Sequence, residues 1–242
     1  MSDVPMTPEQ AAHETRNHVG RAGLFMTDPE TYAYGAELGF EGMDFYVAGR
    51  GGALGEVPAG VVAAAFVFFA PELVEEGWNR SASVMPRAQA AREWAGCLHR
   101  YARKTVPADF DAATLATLLG RVVDAAAVAV APLFAAWRTL PEPEDAPALA
   151  LHRLNALREL RGALHGAAVL TVGLAPIEAI IVRAPAMIPV AGWQEVPEDP
   201  GPFADRWALA EARTDRMFGR SLAVLDAQER GALVDLLGTL KT

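Results

Sequence analysis

The stretch "RELRGALHGAAVL", residues 158–170, decides the fold class, because it sets charged residues inside an apolar run with helical spacing. On a helix that turns about 100° per residue, Arg158, Arg161 and His165 fall within roughly 60° of one another. Apolar residues share this arc and fill the adjacent one, so the cations lie on the side predicted to be buried. We expect the remaining sector of the helix to face solvent. That sector consists of His152, Asn155, Glu159 and Gly166.

The rest of the chain also has helical patterns and helix-start signals. Thr7 followed by a proline and by Gln10 is a capping box, and Asp28 followed by a proline is a second helix start. Two long apolar stretches have helical periodicity, with breaks near Pro71 and Pro132. The sequence therefore predicts an all-α protein, a multi-helix bundle.

Prolines divide the chain into three parts. Residues 183–203 contain five prolines and are predicted to be a linker. Residues 1–182 form the predicted helical body, and residues 204–242 a C-terminal helical pair separated near Gly219. The segment "AIIVRAPAMIPV", residues 179–190, is predicted to be a short strand or extended segment.

Composition and charge narrow the classes of function. The 242 residues are 52% hydrophobic, and 30 acidic against 21 basic residues give a formal charge of −9. Tight duplex binding needs clustered lysine and arginine, so we expect no strong nucleic-acid binding. No apolar run approaches the roughly 18–20 residues of a membrane span, and the N-terminus does not read as a signal peptide. We expect no membrane association, a cytoplasmic protein, and a plain buried thiol at Cys97.

Two interpretations of the charged helix remain open. In the first, its arginines form structural salt bridges with acids on other helices, such as Glu37, Glu41, Asp44 or Glu72. In the second, Arg158 and Arg161 hold an anion in a pocket while His165 transfers a proton or binds a metal. The pocket predicts that Arg161→Met leaves stability unchanged or raises it. The salt bridge predicts a loss of several kcal/mol.

Four stretches resemble an actinobacterial helix-turn-helix-labelled family. They are "HVGRAGLFMTDPE" (18–30), "FYVAGRGGALGEVPAGVVAAAFVFFAPELV" (45–74), "LRELRGALHGAAVLTVGLAPIEA" (157–179) and "EARTDRMFGRSLAVLDAQERGALVDLL" (211–237). The third is similar to the family's Arg-Glu-x-Arg-Gly-x-x-His motif and is the most specific; the second is similar to its Phe-x-x-Phe-x-Pro pattern. Position by position, the resemblance singles out His18, Arg50, Arg158, Glu159, Arg161, His165 and Glu178.

These positions define the candidate site. The resemblance implies a ligand-binding group of Arg158, Arg161, Arg50 and His18, with His165 and Glu159 as the candidate catalytic pair. We hypothesise an interior pocket for an anionic small molecule. Haem is one candidate, with a histidine as axial ligand and arginines on the propionates; otherwise the cofactor is undefined. No metal site is predicted, and whether the site catalyses a reaction stays open.

The chain departs from the family where the winged helix would lie. The corresponding stretch "AGWQEVPEDPGPFADRWALAEARTD", residues 191–215, is short and proline-rich, and lacks the Gly-Leu-Leu turn and the wing. Trp193 is then the remnant of the missing helix. The alternatives to the pocket are a degenerate winged-helix regulator and a structural or partner-binding helical protein. The partners we expect are a small-molecule ligand and a second copy of the chain in a homodimer.

Overall fold

The computed structural model describes residues 5–197 and 203–241, which contain twelve α-helices and no β-strand. The prediction of an all-α multi-helix bundle is confirmed. In chain order the helices are α1 (Pro8–Val19), α2 (Pro29–Glu37), α3 (Asp44–Gly51), α4 (Ala59–Phe66), α5 (Pro71–Ser81), α6 (Arg87–Thr105), α7 (Ala112–Ala125), α8 (Pro132–Trp137), α9 (Ala146–Thr171), α10 (Pro176–Arg183), α11 (Ala204–Leu222) and α12 (Ala227–Thr239). Short 3-10 segments lie at Gly20–Thr27, Gly52–Leu54 and Pro185–Met187.

Local sequence signals explain where several helices begin. The side chain of Thr7 accepts a hydrogen bond from the Gln10 backbone N–H at 3.2 Å, and the Gln10 side chain accepts from the Thr7 N–H at 2.9 Å. This reciprocal capping box satisfies two backbone donors that a helix start otherwise leaves unpaired. Asp28 and Asp145 cap α2 and α9 without the reciprocal bond, because their side chains accept from the N–H groups two and three residues further along.

Helix α9, with 26 residues, lies at the centre of the bundle. It packs against α6, α7, α8 and α11 and against the 3-10 segment that follows α1. Four of its leucines are at most 1% exposed, and burying each contributes roughly 1.5–3 kcal/mol. These leucines are Leu151, Leu154, Leu157 and Leu160.

The expectation of a solvent-facing sector on α9 is wrong. His152 and Glu159 are 2% exposed, and Asn155 is fully buried. The imidazole of His152 contacts His99 on α6, Glu159 binds Arg50 on α3, and the backbone at Gly166 packs against the turn that follows α4. Neighbouring helices therefore cover the polar sector, and its polar groups are mostly paired instead of hydrated.

The segment predicted to be extended is helical in its first half. Residues 179–183 continue α10, and the 3-10 segment Pro185–Met187 follows. Pro176 stands in the first turn of α10, and the Glu178 side chain accepts a hydrogen bond from the Ala175 N–H at 2.7 Å. These start signals and the burial of Ile177 and Ile180 outweigh the strand preference of the β-branched run.

The C-terminal helices do not separate at Gly219. Helix α11 continues to Leu222, and the break before α12 spans residues 223–226. A Cβ atom at Gly219 would lie 3.0 Å from the carbonyl oxygen of Pro8, so this glycine permits close packing of α11 on α1. The apolar side chains of Leu222 and Leu233 belong to the same core as α9.

Two further sequence expectations concern the thiol of Cys97 and membrane-spanning helices. The thiol of Cys97 is 3% exposed, and burial raises its pKa to about 11, as expected for an unreactive thiol. Within the described residues no single helix has both the length and the apolar composition needed to cross a bilayer. Of the proline-rich linker, residues 198–202 lie outside the described part of the chain.

Candidate functional site: an arginine-lined cavity

Glu159 holds two arginines together at the centre of the molecule. Its carboxylate accepts hydrogen bonds from Arg50 Nε at 2.9 Å and from Arg50 Nη2 at 2.7 Å. The same carboxylate accepts a third hydrogen bond from Arg158 Nη1 at 2.7 Å. Arg50 also donates to the Tyr46 hydroxyl at 3.1 Å, and its guanidinium lies 4.4 Å from the ring centre of Phe66. The tertiary fold thus joins α3 and α9 through one carboxylate, and Phe66 of α4 packs against the Arg50 guanidinium.

The charges in this cluster do not cancel. Burial alone would raise the pKa of Glu159, but Arg50 and Arg158 outweigh it and lower the pKa to about 2. Glu159 keeps the pKa of Arg50 above its ordinary value, against the opposing effect of burial. Two cations therefore share one anion, which leaves one positive charge in excess, and the Arg158 side chain is partly exposed.

The excess charge faces a cavity of about 220 Å³, which we call the arginine cavity. Four arginines line it, namely Arg16, Arg50, Arg158 and Arg161. Its apolar walls include Tyr46, Phe66 and Phe69. Among the described residues that line it, Glu159 is the single carboxylate, and its oxygens are already bound by Arg50 and Arg158. Such a surface attracts anions.

A strained turn at Val67 shapes the cavity wall. Val67 has φ 46° and ψ −61°, and the Phe68 N–H donates to the Phe66 carbonyl at 2.5 Å, which makes a γ-turn with positive φ. This conformation is unfavourable for a β-branched residue and persists where surrounding packing enforces it. The turn directs Phe66 towards Arg50 and Phe68 towards the His165 ring. No single residue signals this turn in the sequence, although the Phe-x-x-Phe-x-Pro pattern covers Phe66 and Phe69.

Arg161 links the arginine cavity to helix α11. Its Nη2 donates to Glu211 at 2.7 Å and to Asp215 at 3.3 Å, and its side chain is 14% exposed. Asp215 also contacts His13 at 3.1 Å and Arg16 at 3.8 Å. Among the described residues, Arg161 pairs with none of the acids that were expected from the sequence to form its salt bridges. Asp44, for example, binds Arg80. Arg161 therefore combines a salt bridge with a place in the cavity wall.

His165 lines an adjacent cavity of about 300 Å³ and not the arginine cavity. Its Nδ1 lies 2.9 Å from Thr214 Oγ1. Burial lowers the pKa of His165 to about 4, so the ring is neutral at pH 7. Arg161 lines both cavities, which places the members of the Arg-Glu-x-Arg-Gly-x-x-His motif around two neighbouring spaces.

His18 and Glu178 stand apart from these cavities. His18 lies near the end of α1, lines neither cavity, and has a pKa lowered by burial and by Arg21. The Glu178 side chain caps α10. Of the sequence-predicted ligand-binding residues, the structure brings together Arg50, Arg158 and Arg161, with Glu159 between the first two.

The buried histidines predict a loss of stability in mild acid. Burial lowers the pKa of His152 and of His165 to about 4, whereas both titrate near 6.5 in an unfolded chain. Between these values the unfolded chain binds more protons, so stability falls as the pH falls below 6.5. At pH 5 the expected cost is roughly 2 kcal/mol per histidine. Urea unfolding at pH 7.5 and pH 5.0 measures it.

The histidine effect is separable from that of the carboxylates. Glu159, with a pKa of about 2, stays ionised at pH 5 and does not contribute. The His165→Gln variant should lose less stability between the two pH values than the wild type does. The control is His13→Gln, because the side chain of His13 is 55% exposed; this variant should retain the wild-type difference. Equal stability of the wild type at both pH values would contradict the prediction.

A family model described as a helix-turn-helix family matches residues 11–210, from within α1 into α11. The comparisons with curated proteins and with solved structures each give no match. The matched range contains the described residues that line the arginine cavity, from Arg16 in α1 to Ala163 in α9, and also His165, and it leaves most of α11 and all of α12 outside. Since the match covers most of the 242 residues, the chain belongs to this helix-turn-helix family.

Proposed function

We propose that the protein binds a small organic anion in the arginine cavity. The observation that carries this proposal is the charge imbalance there: Arg161 is paired with acids of α11, whereas Arg50 and Arg158 share Glu159, the single carboxylate among the described residues that line the space. The whole chain has a formal charge of −9, so a local excess of cations is not a consequence of composition. A bound anion would neutralise the charge that the fold leaves uncompensated.

Arg158 is the residue best placed to meet this anion. Its Nη1 binds Glu159, while Nε and Nη2 have no hydrogen-bond partner in residues 5–197 and 203–241. Its side chain is 24% exposed, so a ligand can reach it. Arg16 contacts Asp215 at 3.8 Å and His13 at 3.5 Å through Nη1, and its Nε and Nη2 have no hydrogen-bond partner among the described residues. Guanidinium groups with free edges bind carboxylates and phosphates through paired hydrogen bonds.

The dimensions of the cavity limit the ligand. A volume of about 220 Å³ lies below the ~300–1,000 Å³ typical of small-molecule sites. Phe66 and Phe69 supply apolar wall, and the Phe66 ring lies 4.4 Å from the Arg50 guanidinium. We therefore propose a carboxylate or phosphate that carries one short apolar or aromatic group. Haem does not fit, because the cavity is too small and His165 lies outside it.

Within this proposal Glu159 positions the arginines. A carboxylate with a pKa of about 2 and both oxygens bound by guanidinium groups has little tendency to accept a proton near neutral pH. Its role is to hold Arg50 and Arg158 side by side, at the cost of one negative charge. We propose binding, without a reaction, as the function of the arginine cavity.

Arg158→Met tests anion binding directly. The probes are acetate, benzoate, phosphate and phenyl phosphate, with benzamide as the neutral counterpart of benzoate. At a hundredfold excess over Kd, the fitting anion should raise the melting temperature of the wild type by about 5 °C or more. Arg158→Met should lose most of this shift, because it removes the guanidinium whose Nε and Nη2 have no partner among the described residues and leaves the Arg50–Glu159 pair in place. Differential scanning fluorimetry measures both.

Two further variants complete the test. Arg92→Met removes an exposed arginine of α6 outside the cavity and should keep the full shift. Gly162 lines the cavity, and a Cβ added there meets no atom within 4 Å, so Gly162→Leu should fill the space and abolish the shift without loss of stability. A wild type that no anion stabilises, or an equal response to benzoate and benzamide, overturns the proposal.

The family description supports a second candidate, a regulator that binds DNA. Phosphate contacts dominate DNA affinity, and 30 acidic against 21 basic residues give the chain a net charge of −9, which repels the DNA backbone. We expect no duplex binding tighter than the non-specific level, roughly 10⁻⁴–10⁻⁶ M at physiological salt. Electrophoretic mobility shifts with random and promoter-derived duplexes at nanomolar protein check this. A sequence-selective, salt-sensitive shift would establish the regulator instead.

A further inference from the structure

The cavity beside His165 adjoins the arginine cavity, and we call it the Trp207 cavity. It has a volume of about 300 Å³. Its apolar lining comes from the turn after α4, from α10 and the 3-10 segment behind it, and from α11, and it includes Phe68, Ile180, Met187 and Trp207. Its charged lining is Arg161 and Glu211, which pair with each other at 2.7 Å, and the exposed Arg183.

The two cavities share part of their walls. Phe68, Phe69 and Arg161 line both, so the two spaces meet along these side chains. Each volume alone lies at or below the lower limit of the ~300–1,000 Å³ typical of small-molecule sites, and the two together lie within that range. One ligand that occupies both cavities would therefore have a site of ordinary size.

Aromatic surface runs from one cavity into the other. The ring of Phe69 lies 5.2 Å from that of Tyr46, which lines the arginine cavity. The ring of Phe68 lies 5.7 Å from the imidazole of His165, which in turn lies 4.7 Å from the ring of Trp207. The strained turn after α4 thus directs two consecutive phenylalanines along the boundary between the cavities. A ligand that crosses this boundary meets apolar side chains on the way.

Much of the apolar surface in the Trp207 cavity is open. Met187 is 39% exposed, and the side chains of Phe68 and Trp207 are half-buried. Exposed apolar surface that lines a concavity is typical of a ligand-binding site, because a ligand removes that surface from water. An excess of positive charge at Arg158 thus lies next to uncovered apolar surface. This is the pattern that an amphipathic anion fits.

We propose that the anion bound by the protein is an amphipathic carboxylate with an unbranched apolar chain. The carboxylate binds Arg158 in the arginine cavity, and the chain passes Phe68 and Phe69 into the Trp207 cavity. This inference rests on the proposed function and extends it, because the arginine cavity itself has room for only the head and the start of the chain. The requirement for a free carboxylate excludes chains whose acid group is esterified or amidated.

A series of carboxylates of increasing length tests the path of the chain. The probes are butyrate, hexanoate and octanoate, with octanamide as the neutral counterpart of octanoate. Isothermal titration calorimetry of the wild type at pH 7.5 should show a Kd that falls roughly fourfold for each methylene that becomes buried. Octanoate should bind at least about tenfold more tightly than butyrate and than octanamide, since the amide loses the charge-assisted hydrogen bonds.

Two variants separate the head of the ligand from its chain. Ala184 lines the Trp207 cavity and not the arginine cavity, and it is half-buried with an extended backbone at φ −153°. Ala184→Trp should fill the Trp207 cavity, keep the Kd for butyrate and abolish the gain from chain length. Arg158→Met should weaken all three carboxylates. The matched control is Ala113→Trp on the exposed side of α7, which lines neither cavity and should keep the full gain.

The wild-type series decides the inference even where a variant does not fold. Equal Kd values for butyrate and octanoate overturn it and leave anion binding in the arginine cavity intact. Equal binding of octanoate and octanamide overturns it as well, as does a full gain from chain length in folded Ala184→Trp. Loss of octanoate binding in Arg183→Met but not in Arg158→Met would place the carboxylate in the Trp207 cavity and also overturn it. The fluorimetry with short anions tests the proposed function separately.

Discussion

The Glu159→Gln variant should lose about 3–5 kcal/mol of unfolding free energy, the range for breaking one partner out of a buried ion pair. Glu159 is 2% exposed and accepts three hydrogen bonds from two arginines. The amide keeps the size of the side chain and one oxygen, but leaves Arg50 buried without a counter-charge and Arg158 beside it. Urea unfolding at pH 7.5 measures the loss, which corresponds to a melting temperature lower by about 10 °C.

An exposed ion pair of similar geometry provides the matched control. Glu142 binds Arg153 through two hydrogen bonds of 2.8 Å and 2.7 Å, but its side chain is 42% exposed. Glu142→Gln should therefore change stability by less than about 1 kcal/mol. A Glu159→Gln variant as stable as Glu142→Gln would show that water already solvates the cluster. Restored stability of Glu159→Gln with a bound anion would support the arginine cavity as an anion site.

Arg161→Met is expected to destabilise the protein by about 3 kcal/mol. The pocket interpretation from the sequence leads to the opposite expectation, unchanged or increased stability. The structure reverses it, because Arg161 joins α9 to α11 through Glu211 and Asp215, which are at most 17% exposed in their side chains. The loss stays below the upper end of the range because His13 and Arg16 still face Asp215.

A double-mutant cycle isolates the Arg161 contribution. Unfolding free energies of Arg161→Met, Glu211→Gln and the double variant should give a coupling of at least about 1 kcal/mol. Arg158→Met is the comparison on the same helix, and it should cost less than about 1 kcal/mol, because Arg50 still holds Glu159. Full stability of Arg161→Met would return Arg161 to the role of a free ligand-binding cation.

These two predictions show why the salt-bridge and pocket interpretations are not exclusive. Arg161 has two carboxylate partners on α11, whereas Arg158 shares one carboxylate with Arg50. Two arginines that lie three residues apart on the same helix are therefore neutralised to different degrees. Within the same motif, Arg161 makes a structural contact, whereas Arg158 contributes a charge that is not fully compensated.

The sequence by itself determined the helices and most of their starts, because these depend on interactions within a few residues. Thr7, Asp28 and Asp145 bind backbone N–H groups two or three positions away, and prolines occupy the first turns of several helices. Helical periodicity also placed Arg158 and Arg161 on a partly buried face. The resemblance added Arg50, which lies far away in the chain and carries no local signal of its own.

Only the tertiary structure decided which side of α9 meets solvent and which groups pair. Periodicity defines the faces of a helix, but a central helix has neighbours around it, so α3 and α6 bury Glu159 and His152. The partners of Arg161 come from α11, 50 or more residues later in the chain. The positive φ of Val67 has no local cause, since packing imposes it against the preference of the residue. Long-range packing, which short sequence patterns do not encode, therefore created both cavities.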